Sequence, residues 1–465
     1  MTFRDGLIAA RSHIAFILGL AVAFSLVMAL ERWDIQAKIR QEALADLPSV
    51  ARIEPTPHIP TVEPRPLTPQ EEGWARTAWR YFERNTRAET GLADSVAGFP
   101  ATTMWDTGSY LLALLAAERL GLLPKADFDQ RLSAALASLL RLPLFDDALP
   151  NKSYDTRSLA MTDYNGRPTT RGIGWSAIDI GRILVPLGTI AWRYPEHASE
   201  AGAVAARWRL DRVVRDGLLY GTTVAGEATP APHQEGRIGY EEYGALGYGL
   251  LGFDTSDALE VADFLEWVDV FGVKVPSDRR GPGAYGAQTY TLSEPYVLRS
   301  LEFEPSAVGR ELAFRVYEAQ EARYARDKIL TAVSEDHLNQ APYFVYNTVV
   351  GNGRPWSTLT DTGADASAFR TLSTKAAFGW AALYDTPYTR RLVEAVTKLS
   401  DPGGGGWYAG AYEKDGSPNA ALTANTNAVV LEALHYRRFG PMLRAGEGAA
   451  GTPGAAAAVS ASGAR

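Results

Sequence analysis

The stretch YEEYGALGYGLLGF, residues 240–253, carries two charges, Glu241 and Glu242, both in what reads as the first turn of a helix. The rest is glycine, alanine, leucine, tyrosine and phenylalanine. Such a helix has no polar face to turn to water, so other elements must enclose it, and its small residues let those neighbours approach closely. A few residues on, DALEVADFLEWVDVF (257–271) is the opposite: an apolar stripe with a charged face, suited to lying between core and solvent. This contrast recurs along the chain.

Between residues 69 and 440 the amphipathic kind occurs six times, as QEEGWARTAWRYFERN, ADFDQRLSAALASLLRL, SEAGAVAARWRLDRVV, DALEVADFLEWVDVF, VGRELAFRVYEAQEARYA and TRRLVEAVTKLS. The charge-poor kind also occurs six times, as WDTGSYLLALLAAERL, WSAIDIGRILVPLGTIAW, YEEYGALGYGLLGF, LSEPYVLRSLEF, STKAAFGWAALY and TANTNAVVLEALHY. Six of each in alternation predict an all-α fold, an (α/α)6 toroid in which a ring of inner helices is clothed by outer ones. Since the inner helices all run the same way, the long links, such as 143–174 and 339–370, gather over their N-termini. Loops of that length usually carry function.

The ends of the chain read differently. IAFILGLAVAFSLVMAL, residues 14–30, is uncharged and would span roughly 25 Å as a helix, near the lower limit for a bilayer. Arg4 and Arg11 precede it, which leaves the N-terminus in the cytoplasm and the bulk of the chain outside. We expect residues 1–35 to be a cytoplasmic stub and transmembrane anchor, with the main domain periplasmic at the inner membrane; a signal peptide cut after Ala29 is the rival reading. Residues 36–68 are proline-rich and read as an extended spacer, and 441–465 as an Ala/Gly-rich flexible tail. A formal net charge of -8, with no Lys/Arg tract, argues against nucleic acid and polyanionic ligands. The absence of cysteine excludes disulfides, thiolate metal sites and a cysteine nucleophile.

At the predicted mouth, acidic groups recur: Asp106, Asp179, Glu241, Glu242 and Glu294 all start inner helices. Helix first turns favour carboxylates in any case. Their company points further, because the mouth segments also carry Trp105, Tyr154, Trp175, Tyr240, Tyr243, Tyr290, Tyr296, Trp356, Trp407 and Tyr408, and flat aromatic faces suit the apolar faces of sugars. Paired carboxylates in such a cavity suit glycoside hydrolysis. Of Glu241 and Glu242, about 100° apart on the helix, one is expected to face the cavity and the other to pack sideways on an arginine. We expect Glu242 as the general acid, Asp106 as its first candidate partner and Glu294 as the second. The aromatic residues named above other than Tyr290, with Asp179, Glu241 and Asp361, are the expected substrate contacts. No cofactor or metal is expected: Asp361 and Asp365 read as a solvated turn, His233 and His337 lack a zinc spacing, and the glycine runs lack a P-loop lysine.

TMWDTGSYL, GIGWSAIDIGRIL, GYEEYGALGYGLLGFD, YTLSEPYVL, LTAVSEDHLNQAPYFVYNTV and GGGGWYAGAYE together resemble the bacterial domain of unknown function 3131 family over about residues 69–440. That resemblance implies a six-hairpin toroid of the glycosidase type, associated with envelope and exopolysaccharide machinery. The expected function is an envelope glycoside hydrolase acting on a glucan-like polysaccharide. The alternatives are a non-catalytic glycan-binding partner of a membrane polysaccharide synthase and, less favoured because of the acidic rim, a polysaccharide lyase.

Overall fold

Hydroxyl caps set where three of the inner helices begin. Thr103 accepts from the Asp106 N–H at 3.0 Å, Ser176 from Asp179 at 3.2 Å and Thr423 from Thr426 at 3.1 Å, so the chain turns into helix at matching places around the ring. The computed structural model describes residues 56–224, 230–281 and 288–443. Within them the helices, in chain order, are α1 Pro69–Asn85, α2 Met104–Arg119, α3 Lys125–Arg141, α4 Ala177–Arg193, α5 Ala198–Ala206, α6 Tyr240–Gly249, α7 Ser256–Leu259, α8 Ser293–Glu302, α9 Ala307–Asp327, α10 Thr374–Leu383, α11 Pro387–Val396 and α12 Ala424–Phe439. The even-numbered helices are the six charge-poor segments. Each packs on the next, and α12 returns to α2 to close the ring.

Glycine allows that closeness. A Cβ on Gly247 would stand 2.0 Å from the Gly181 carbonyl oxygen, and one on Gly181 would meet Gly244 at 2.6 Å, so α4 and α6 touch backbone to backbone.

Two features correct the all-α expectation. First, the fourth amphipathic segment is not an outer helix. After the single turn α7 the chain forms the hairpin Leu265–Val270 with Val273–Asp278, joined at Phe271-Gly272. Both turn residues have positive φ, +56° and +85°, the geometry that matches the natural twist of two paired strands. Val268, Val270, Val273 and Val275 favour a pleated surface over a helix, which outweighs the apolar stripe that suggested one. Second, short antiparallel pairs stitch the mouth loops together, among them Glu335–His337 with Phe344–Asn347, Thr371–Ser373 with Tyr408–Tyr412, and Leu218–Thr223 with Ala231–Gln234.

Residues 56–68, in the stretch read as a spacer, lie along the domain. Thr56 donates through its N–H and hydroxyl to Glu311, the Val62 N–H to the Leu383 carbonyl, and the Arg65 N–H to the Arg437 carbonyl. The apolar segment 14–30 falls outside the described residues; among those described, no helix is long and apolar enough to cross a membrane.

Candidate active site

Beneath the mouth, on the ring axis, the Arg182 guanidinium of α4 is fully buried. It donates to Tyr243 Oη at 2.5 Å, Glu302 Oε1 at 2.8 Å and Ser109 Oγ at 3.0 Å, and lies 5.0 Å from the Trp105 ring centre. A buried cation needs such partners. Trp105 then points its indole N–H at Glu294 Oε1 at 3.1 Å. Glu294 is enclosed by Lys375, by Asn425 Nδ2 at 2.5 Å and by Ser334 Oγ at 3.1 Å. Burial works against its charge, but Lys375 and these donors win and hold the carboxyl below its usual range. Glu294 is therefore an ionised, fully engaged anchor.

One level up, Glu335 opens the strand Glu335–His337 and faces Tyr346 across the ladder. Tyr240 Oη donates to Glu335 Oε2 at 2.5 Å. Burial, then the Glu294 charge, push the Glu335 carboxyl up to about 8, so it keeps its proton at neutral pH. Asp179 stands half-buried at the start of α4. Burial, then the charge of Glu235, raise it to about 7, and its own charge in turn raises Glu335. Glu235 stays ionised: burial opposes this, but His233, Lys152 and Arg237 hold it below its usual value. Its Oε2 accepts from Ser176 Oγ at 3.1 Å and the Ile178 N–H at 3.2 Å, pinning it to the α4 N-terminus. Gly221 leaves room for that, since a Cβ there would sit 1.8 Å from Glu235 Oε1.

The expected site residues divide. Trp105, Asp106, Asp179, Tyr240, Tyr243 and Glu294 surround this axis; Asp106 is tied by Ser95 at 2.6 Å and Thr103 at 2.9 Å, and its charge reaches Asp179 and His337. Glu241 and Glu242 do not join them. Glu241 is spent on Arg280 Nη1 at 2.7 Å and Gln234 Nε2 at 2.5 Å. Glu242, 2% exposed, receives the Gly239 N–H at 2.6 Å, and its Oε1 has no partner among the described residues. Burial raises it to about 7, and the charges acting on it are those of Arg299 and Glu241.

Several expected sugar platforms lie in the walls. Tyr154 donates to the Pro143 carbonyl, Trp175 to that of Tyr220 and Trp407 to that of Trp74, all three buried. Trp356 stacks on Phe271 at 5.9 Å, Tyr296 is buried beside Glu242, and Tyr408 binds Asp401 at 3.0 Å. Asp361 lies on an exposed turn whose charge reaches Tyr290. Glu335, Glu235, Lys375 and Arg237 went unread in the sequence. Glu335 and Glu235 sit in mouth segments, not in helix first turns; the glycines and tyrosine after Glu235 hinted at that residue, and nothing local marked Glu335.

Among the described residues, one group of carboxylates and histidine is compact enough to share a metal ion, Asp129, Glu196 and His197. It lies away from this axis, and the Lys125 ammonium already contacts its carboxylates, at 2.6 Å from Glu196.

The fold is thus a toroid of six inner helices, with a proton-holding carboxyl near an ionised one at its mouth. The chain belongs to the family described as Protein of unknown function (DUF3131), which matches residues 73–440. Among curated proteins none matches its sequence. Its fold is similar to that of an endo-beta-1,2-glucanase from Chitinophaga pinensis in complex with sophorotriose and glucose, at 11% identity over 81% of this chain and 94% of that one, with a TM-score of 0.58. An endo-beta-1,2-glucanase from Talaromyces funiculosus with sophorose matches at 12% identity, 80% and 84% coverage and a TM-score of 0.54. A glucoamylase from Saccharomycopsis fibuligera matches at 10% identity, 83% and 98% coverage and a TM-score of 0.50.

Proposed function

We propose that this chain hydrolyses a glucan, with Glu335 as general acid and Asp179 as general base. The observation that carries the reading is the coexistence, in one mouth, of a carboxyl held protonated to about 8 and a more accessible one poised near 7. Glu335 gives its proton to the glycosidic oxygen as the C1–O bond breaks. Asp179 takes a proton from the water whose oxygen bonds to C1. Glu235 does not touch the reacting atoms; its fixed charge makes Asp179 a stronger base. Glu294 and Trp105 hold the floor. Solvent then returns the proton to Glu335 and removes that on Asp179, so charge balances over the cycle.

The glucan class is supported by the glucan-active names of proteins sharing the fold, and a β-1,2-linked chain is the first substrate to try. A binding-only role would leave the raised Glu335 without a task, and the carboxylates gathered here, Asp179, Glu235, Glu294 and Glu335, disfavour the uronate on which a lyase would act. In the same reading, residues 14–30 hold the domain on the outer side of the inner membrane, as Arg4 and Arg11 suggest. A panel of β-1,2-, β-1,3-, β-1,4- and α-1,4-glucans incubated with the full chain tests the activity. New reducing ends from at least one are expected, and none from any would overturn the proposal. A phosphatase fusion after residue 35, inactive in intact cells, would overturn the topology.

A further inference from the structure

The other cations set around the mouth have partners: Lys375 has Glu294, Lys152 has Thr223 Oγ1 at 2.7 Å, and Arg280 has Glu241 and Asp278. Arg237, in the loop before α6, acts on Glu235 only through its charge, without a direct contact. Among the described residues its guanidinium makes no hydrogen bond or ion pair, and its Nε is buried without an acceptor. A buried N–H left so is costly unless a ligand or water completes it. Its charge lies near two aromatic rings instead. The guanidinium lies 5.5 Å from the Tyr290 ring centre and 6.0 Å from that of Tyr240, while Tyr290 is stacked on Tyr346 at 4.0 Å and 9°. Aromatic faces attract the charge but accept none of its N–H groups in conventional hydrogen bonds, so these donors stay available to a ligand.

The wall continues to Tyr164. Its ring is 60% exposed, and the charges of Asp179, Glu235 and Asp361 reach its phenol, as the phenol in turn reaches Tyr346. Its turn is rigid: Asp163 Oδ1 accepts from the N–H groups of Asn165 and Arg167, both at 2.9 Å, and Gly166 lies against Phe99. Exposed, fixed aromatic rings beside ionisable groups suit sugar faces.

We propose that Arg237 and Tyr164 form a pyranose-binding subsite beside Asp179 and Glu335, Arg237 donating its fork to two neighbouring sugar hydroxyls and Tyr164 stacking on the ring. This rests on the glycan reading above and assigns the residues that select the sugar. A lysine would keep the charge but not the fork.

The test is calorimetric binding of sophorotriose to the full chain, wild type and the variants Arg237→Lys, Arg237→Met, Tyr164→Phe and Tyr164→Ala, with initial rates on β-1,2-glucan and melting curves alongside. We expect Kd to rise about tenfold or more for both Arg237 variants and about threefold or more for Tyr164→Ala, with Tyr164→Phe close to wild type. Tyr164 is exposed, so its variants keep the fold. Arg237→Lys binding as wild type would overturn the fork. All variants binding as wild type would overturn the subsite while the hydrolase reading stands. A wild-type chain that neither binds sophorotriose nor cleaves any of the four glucans would overturn both.

Discussion

Tyr240 and Glu335, 95 residues apart in the chain, meet in a hydrogen bond of 2.5 Å from the phenol to the carboxyl. This contact favours the ionised form of Glu335 and moderates the rise that burial and Glu294 impose. In Tyr240→Phe the Glu335 carboxyl should therefore move further up. The alkaline limb of the activity profile should shift to higher pH, and an unchanged limb would separate Glu335 from that titration.

The wild-type profile itself follows from two groups. Activity should rise as Asp179 ionises through about pH 7 and fall as Glu335 loses its proton through about 8, giving a narrow bell between them. Asp179→Asn should remove the acid limb along with most of the rate. A broad plateau from pH 4 to 7 in the wild type would contradict the assignment.

Glu242 should govern stability, not turnover. Its folded carboxyl is raised to about 7, so its contribution is full below the unfolded value near 4.5 and is lost as pH rises through 7. Glu242→Gln cannot ionise and should flatten that decline. At pH 8 the variant should be more stable than wild type by something on the order of 1–3 kcal/mol in urea titrations, with activity retained. Glu241→Ala should do the reverse, leaving the buried Arg280 with only one of its two anions, Asp278, at a cost of about 3 kcal/mol.

Gly272 offers a test of the hairpin. Nothing lies within 4 Å of the place its Cβ would occupy, so Gly272→Ala should act through its φ of +85° alone and destabilise by about 1 kcal/mol. Phe271→Asn eases the positive φ but gives up the stack on Trp356 and the contact with Arg326, so it should destabilise as well. Equal tolerance of alanine at 272 would mean that the segment is not held in this turn.

The inner ring was legible because a helix without a polar face has only one place to go, and all six charge-poor segments are inner helices. The fourth outer segment was misread for a local reason: 257–271 has a helix-like apolar stripe, while the decisive signal, Phe271-Gly272 between β-branched residues, spans its end. The site was harder. Glu241 and Glu242 drew attention as a pair, and their divergence was anticipated, with Glu241 turning to an arginine. That Glu242 also turns inward depends on the Gly239 N–H and on α8, which no local pattern encodes. Glu335 becomes unusual only through Tyr240 and Glu294, both remote in sequence, and Trp407 looked like a platform because an aromatic beside a glycine run reads the same whether it faces a sugar or the Trp74 carbonyl.

The central claim is that Glu335 delivers the proton to the leaving oxygen. Its most direct test compares wild type and Glu335→Gln on two substrates, a β-1,2-glucan, whose leaving alcohol needs protonation, and the corresponding glycosyl fluoride, whose leaving group needs little. The account predicts a fall of about 10²-fold or more on the glucan with the fluoride rate nearly kept. Equal losses on both, or none on either, would contradict it.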